Sequence, residues 1–393
     1  MDQTAAQTTA RLRRYLDDGE SSIVVFYGSP FISRTAVLRS FVRGEKRTVY
    51  SAACVTDKEQ RKRLAASLTP RGGKLSADPG YEEILTAFIG TVPDGMRMLL
   101  VIDHFEHLFY ENDLFLKALA KLSQDTQNRK KLFTLLLSED EVWVENTFVS
   151  KAGSSVACVD GFVKNRESRF KALREAFPDL SMRDAVAAYA LYGGETALWS
   201  TYDPALTFKE NVCGLFLAGE QAVLARLPMD RLESLVREPA VYATILANLA
   251  AGKEKLNDLY HATGIARAKL SVYMKTLMAP GYVEKVFSYG TVGTDQTKKG
   301  VYRISNAFLR FYYTCIYPEE SAILELKPEK AFDLFISPAM PDVLSFAFRK
   351  ICMEYVEDLD AAGRLPFAIA DEGEWNGKAG TIDIVAQSEE GRR

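Results

Sequence analysis

IVVFYGSPFISRTAVLRSF, residues 23–41, is the stretch on which the reading of the chain turns. The apolar run from Ile23 to Tyr27 stops at Gly28, and an amphipathic pattern restarts at Thr35 with Val37, Leu38 and Phe41. A strand, a tight loop and a helix are the setting of a phosphate-binding loop, G-x-x-x-x-G-K-[ST]. Gly28, Ser33, Arg34 and Thr35 stand in its four defining positions. Two match, one keeps its charge, and one glycine is gone. If the Ser33 position needs a left-handed backbone, its Cβ costs roughly 1–2 kcal/mol. The planar fork of Arg34 is not the compact ammonium of lysine and need not reach the same phosphate oxygens. Thr35 keeps the hydroxyl that would ligate Mg²⁺.

A second element lies downstream. In MRMLLVIDHFEHL, residues 96–108, an apolar run ends at Asp103, which reads as a buried parallel strand with a carboxylate at its C-terminal end. That is the form of a Walker B element. His104 follows, where hydrolysing relatives of such sites carry a glutamate that polarises water. The reading requires the first strand to lie beside the strand ending in Asp103.

Around these elements the chain alternates. Arg11–Asp17 reads as a leading helix, residues 48–53 as a strand, and Gln60–Leu68 and Tyr81–Gly90 as helices flanking a break at 70–73. Leu114–Leu122 follows as a helix and Leu132–Leu137 as a strand ending at Ser138 and Glu139. The fold class expected is α/β, a P-loop doubly wound parallel sheet to about residue 160. From Asn165 to Glu220 the pattern is helical, with Gly193 and Gly194 as a helix stop. From Arg237, short helices punctuated by Gly252 and Gly264, then a hairpin over 282–289 and 300–304, read as a winged helix-turn-helix. Arg267–Met278 is its recognition helix. Arg267, Lys269 and Lys275, with Lys298, Lys299 and Arg303 in the wing, are the residues that would meet DNA phosphates. The aromatic segment after Asn306 reads as core or interdomain packing, residues 331–357 as helical, and Asp383 lies in a short strand over 382–386.

The 393 residues suit two to four domains, and 47% hydrophobic with 26% charged residues is ordinary for a globular protein. A net charge of −3 gives no global attraction to nucleic acid or acidic membranes. Cys54, Cys158, Cys213, Cys315 and Cys352 show no C-x-x-C spacing and read as reduced core residues. No apolar run approaches transmembrane length and no signal peptide is evident, so a cytoplasmic protein without membrane partners is expected.

Taken in order, FYGSPFISRTAVLRSF, LLVIDHFEHL, YALYGGETALW, EPAVYATILANLAAG, TGIARAKLSVYMKTL, KKGVYRISNAFLRFYY, AFRKICMEYV and GTIDIVAQ carry a resemblance over nearly the whole chain. It resembles the prokaryotic archaeal-type ATPases of the STAND/AAA+ superfamily, which carry a winged helix and a C-terminal restriction-endonuclease-like domain. The resemblance implies an ATP site with Mg²⁺, a helical lid, and a winged helix that reads DNA or regulates the ATPase. Its expected division is an ATPase-like domain over 1–160, a lid over 161–229, a winged helix over 230–305 and a partial nuclease-like domain over 306–393. Gly28, Ser33, Arg34 and Thr35 would contact nucleotide, Thr35 and Asp103 the metal, and Asp103 and His104 hold the catalytic positions.

This copy departs from the family's pattern where chemistry would occur. The lid's Gly-Gly-x-Pro reads Gly193-Gly194-Glu195-Thr196, without the proline. In the nuclease-like part Asp383 fits the strand aspartate, Arg349 stands in place of the helix acid, and no Glu-x-Lys follows. A lone carboxylate does not hold a catalytic Mg²⁺. Two functions follow. One is a nucleotide-dependent switch with weak or no hydrolysis. The other is a nucleotide-independent scaffold or DNA-binding regulator on a decayed ATPase frame. A third reading makes His104 and His107, with Asp103, a metal site.

Overall fold

The computed structural model describes residues 3–20, 22–69, 75–109, 111–290, 300–377 and 380–391. The chain divides into two compact units, residues 1–167 and 168–393.

The first unit is built on a five-stranded, wholly parallel sheet. Its strands are β1 (Ile23–Tyr27), β2 (Arg47–Ser51), β3 (Met98–Asp103), β4 (Leu132–Ser138) and β5 (Gly161–Lys164). Their order is β2-β3-β4-β1-β5. Unbroken apolar runs arise because both faces are covered. Ile23 and Val25 join one core with Leu100, Ile102 and Leu136, while Val24 and Phe26 join another with Leu99, Val101 and Leu135. The first face is covered by α3 (Asp57–Leu68), α4 (Tyr81–Gly90) and α5 (Leu114–Ser123), the second by α1 (Gln3–Asp17) and α2 (Thr35–Phe41). α1 starts well before Arg11, because its first turns are rich in Gln and Thr and carry little periodicity, its buried anchors Leu12 and Leu16 lying towards its end.

Two expectations change here. β1 does not lie beside β3, because β4 is inserted between them and pairs with both, so the adjacency that the sequence reading required fails. What keeps the two elements together is the parallel sheet, which brings both strand ends to one edge, where Arg34 from the loop after β1 reaches Asp103 at 3.0 Å. The strand-to-strand order is set by long-range crossovers, which local pattern does not encode. In addition, a fifth strand, β5, lies beyond residue 160 and pairs with β1 from Val24 to Tyr27. It is only four residues long, too short for a periodicity signal. A short helix, α6 (Thr126–Lys131), feeds directly into β4.

The second unit is mostly helical. α7 (Met182–Tyr192) ends at Gly193, whose φ of 57° is left-handed. Just past it, Glu195 is buried and meets Arg231 through two bonds of 2.9 and 2.7 Å, with Asn306 donating a third at 2.8 Å. The Arg231 side chain is fully buried and lies over the Phe308 ring. α8 (Pro239–Ala250), α9 (Leu256–Thr263) and α10 (Arg267–Met278) precede an antiparallel pair, β6 (Val283–Val286) and β7 (Val301–Ile304). This is the arrangement of a winged helix. The aromatic segment after Asn306 is core of this unit: Phe308, Phe311, Tyr312 and Tyr313 are all buried.

The chain closes with the long helix α11 (Ser337–Ala361) and the hairpin of β8 (Asp371–Gly377) and β9 (Gly380–Gln387). The hairpin joins the winged helix: Tyr289 N–H donates to the Glu374 carbonyl, and Ser288 exchanges bonds with Asn376. Contrary to the sequence reading, one continuous helical stretch, residues 328–361, is long and apolar enough by length and composition to cross a membrane. Its Met340, Val343 and Ala347 are buried within the unit.

Candidate functional site

In a parallel sheet all strands end at one edge, and that edge gathers the candidate residues. Tyr27 pairs in register with Ser138, and Ile102 with Leu136, so Gly28, Glu139 and Asp103 emerge close together. The loop after β1 is tied to both neighbours of that strand. Gly28 N–H donates to the Ser138 carbonyl at 3.2 Å, Asn165 N–H to the Tyr27 carbonyl at 2.6 Å, and Asn165 Nδ2 to the Ile32 carbonyl at 3.0 Å. Gly28 must be glycine because of this crowding, not its dihedral angles: an added Cβ would lie 2.9 Å from both Asn165 Cβ and its carbonyl oxygen.

Ser33 behaves differently from expectation. Among the described residues His104 alone is a non-glycine with positive φ, so Ser33 is not left-handed and the conditional cost does not arise. The loop takes a course that tolerates a Cβ at that position. Ser33 and Thr35 are exposed, and Thr35 opens α2.

Arg34 faces inward. Its Nη2 lies 3.0 Å from Asp103 Oδ1, 3.1 Å from Asp103 Oδ2 and 3.1 Å from Glu139 Oε1. The guanidinium therefore bridges the acid that ends β3 and the acid just past β4. Its Nη1 is buried with no hydrogen-bond partner among the described residues. The surroundings are acidic as well. Lys164 Nζ reaches Glu141 at 3.3 Å and Glu145 at 3.1 Å, and Tyr27 donates to Glu145. Burial raises the Glu141 carboxyl above its ordinary range despite Lys164. Burial and the neighbouring Glu145 raise the Tyr27 phenol.

The cleft at this loop offers only about 10 Å³, far below the roughly 300–1,000 Å³ usual for ligand pockets. A cavity of about 630 Å³ lies instead beside Gly19, Arg129 and Lys130, next to the starts of β1 and β4 and hence at the opposite edge of the sheet. The chemistry-bearing residues are at the smaller one.

After Asp103 the chain turns sharply. His104 has φ 52° and ψ 44°, and its N–H donates to Asp103 Oδ1 at 2.8 Å. His104 Nδ1 is 3.3 Å from Glu106 Oε1, whereas its Nε2 is 4.0 Å from Asp103. The grouping of Asp103 with His104 and His107 is thus corrected. Asp103 is taken up by Arg34, and the carboxylate beside the two imidazoles is Glu106. Sequence reasoning missed Glu106, Glu139 and Asn165 as parts of this site; the H-x-E-H run at 104–107 was a visible signal for the first.

The remaining candidates lie in the second unit. Lys269 and Lys275 are exposed on α10. Arg267 is bonded to Asn257 and stacked over Tyr260. Lys298 and Lys299 fall outside the described residues. Arg303 is committed internally, 2.7 Å from both Glu284 and Glu374. Arg349 meets Glu374 at 2.6 Å and Asp383 at 3.3 Å, so ion pairs stand where the resemblance implies a nuclease metal site.

Comparison with known proteins agrees with this architecture. Residues 312–393 match a family described as archaeal and bacterial proteins of unknown function. An uncharacterized protein of Methanocaldococcus jannaschii is 23% identical over 97% of this chain and 83% of its own length. Among solved structures, the Walker-type ATPase of Pyrococcus abyssi is similar with a TM-score of 0.55 at 16% identity, covering 81% of this chain and 95% of that one. The Aeropyrum pernix ORC2 protein is similar with a TM-score of 0.48 at 13% identity, over 81% and 93% of the two chains. The fold of this chain is thus similar to that of the Walker-type ATPase of Pyrococcus abyssi.

Proposed function

We propose that this chain is a nucleotide-dependent switch on the P-loop ATPase fold, binding Mg-ATP weakly and hydrolysing it slowly or not at all. The observation that carries the proposal is the position of Arg34. It stands where the loop's lysine would, and its charge is held at the sheet edge between Asp103 and Glu139. Binding requires this guanidinium to leave one carboxylate and face phosphate oxygens, an exchange between two charge-assisted partners of similar strength. The backbone of residues 28–35 would line the phosphates, and Thr35 with Asp103 would hold the Mg²⁺. The donor set fits that group, provided that Arg34 moves. His104 in the position of the water-polarising acid removes about 10²–10⁴ in rate.

A second reading is a nucleotide-independent scaffold or DNA-binding regulator. It is favoured by the small cleft at the loop and by the acids that surround it. In that reading the exposed Lys269 and Lys275 of α10 would meet DNA phosphates.

Calorimetric titration of the full chain with Mg-ATP separates the two. The switch predicts saturable binding that weakens about tenfold or more in Arg34→Ala, with phosphate release at background. Absence of heat at millimolar nucleotide for both proteins would leave the scaffold, whose duplex-DNA affinity should then fall steeply as salt rises.

A further inference from the structure

We propose that His104, Glu106 and His107 form a binding site for a divalent transition-metal ion of the zinc class, separate from the Mg²⁺ position at Thr35 and Asp103. The ligand-capable atoms of these three residues all lie within 4.8 Å of one another. Two nitrogen or oxygen ligands on one tetrahedral Zn²⁺ lie about 3.4 Å apart, so the widest pair has to close by up to roughly 1.4 Å, a side-chain rotation of the half-buried imidazoles. His104 Nδ1 and Glu106 Oε1, at 3.3 Å, already have the spacing of two ligands on one ion. The His104 and His107 rings stack at 5.9 Å and 22°, presenting both imidazoles on one side of the turn.

Two independent features point to a ligand. The first is Glu106, whose side chain is 12% exposed: its Oε1 faces His104, and its Oε2 is buried with no hydrogen-bond partner among the described residues. An unsatisfied buried carboxylate oxygen is unfavourable, and a cation supplies what the fold withholds. The second is the backbone. His104 holds a left-handed conformation that no other described non-glycine residue adopts, and this turn is what swings its ring back over Glu106. Phe105, between the ligands, is fully buried against Phe109, Trp143 and Phe148, which fixes the turn from beneath.

The donor chemistry selects the metal. Two imidazoles and one carboxylate suit Zn²⁺, Co²⁺ or Ni²⁺, whereas Mg²⁺ and Ca²⁺ require oxygen cages. Three protein ligands leave a fourth position for water or a partner's side chain. Because the His104 N–H bonds Asp103, an ion here would stiffen the end of β3 whether or not nucleotide binds.

The test is equilibrium binding of Zn²⁺ alone, and of Co²⁺ alone, to the full chain stripped by chelator. One equivalent of Zn²⁺ should bind at about micromolar or tighter, and Co²⁺ should give the visible absorption of a low-symmetry imidazole site. Glu106→Gln and His107→Ala should each weaken binding by at least the ~10–100-fold seen for lesser perturbations. His104→Asn keeps a residue that tolerates the left-handed turn while deleting the ring. It should lose binding with its metal-free thermal midpoint little changed, and it decides the matter if the other variants do not fold. No stoichiometric uptake, binding that survives all three substitutions, or displacement of Zn²⁺ by millimolar Mg²⁺ would overturn the proposal.

Discussion

Arg34 and Arg231 each meet carboxylate oxygens, yet they sit in opposite environments. Arg231 and Glu195 have side chains 0% and 4% exposed, paired through two bonds and closed over by Asn306 and Phe308. Arg34, Asp103 and Glu139 are 19%, 25% and 39% exposed. In the dry pair, losing either partner leaves a charge that water cannot reach. In the wet one, solvent or an incoming anion can replace a partner at modest cost. The first is a fixture of the second unit, and the second is an exchangeable contact at the sheet edge. The same side-chain chemistry serves architecture in one place and, on the proposed function, switching in the other.

The largest expected effect tests the fixture. Arg231→Ala should destabilise the second unit by about 3–5 kcal/mol, because the buried Glu195 keeps its charge while losing both bonds to the guanidinium. A urea midpoint close to that of the wild type would remove the contrast altogether. Next in size is Gly28→Ala, which drives a Cβ against the Asn165 backbone and should cost the first unit about 1–3 kcal/mol. If its unfolding transition is unchanged, the loop is looser than the contacts imply and Arg34 is not positioned by it.

A smaller effect should appear in acid. Burial alone would raise the Glu374 carboxyl, but hydrogen bonds from Arg303 and Asn376 and the charges of Arg303 and Arg349 more than reverse this and lower it below its ordinary 4.5. A carboxyl depressed on folding stabilises fully above 4.5, and that contribution is lost as pH falls through the lower folded value. Glu374→Gln should therefore flatten the decline in second-unit stability below pH 4.5. An unaltered acid profile would mean that the Arg303–Glu374–Arg349 group resembles the wet pair more than the dry one.

Much of the fold was legible because buried parallel strands carry continuous apolar runs: β1, β3 and β4 stand within a residue or two of where the sequence places them. The insertion of β4 between β1 and β3 was not, since pairing order depends on crossovers between distant segments. β5 was too short to register. Of the candidate residues, Gly28, Arg34, Thr35, Asp103 and His104 were chosen from loop and strand-end position alone. The pairing of Arg34 with Glu139 was not, because 105 positions separate them and only the sheet brings them together. His104 and Glu106 were visible as neighbours, but the left-handed turn that aims one ring at the other carboxylate has no sequence mark in a histidine.

The most direct measurement is the Mg-ATP dissociation constant of Glu139→Gln beside that of the wild type. If Arg34 is an exchangeable contact, neutralising one of its two acidic partners should tighten nucleotide binding by up to about tenfold. Equal affinity in the two proteins, or no binding in either, would contradict it.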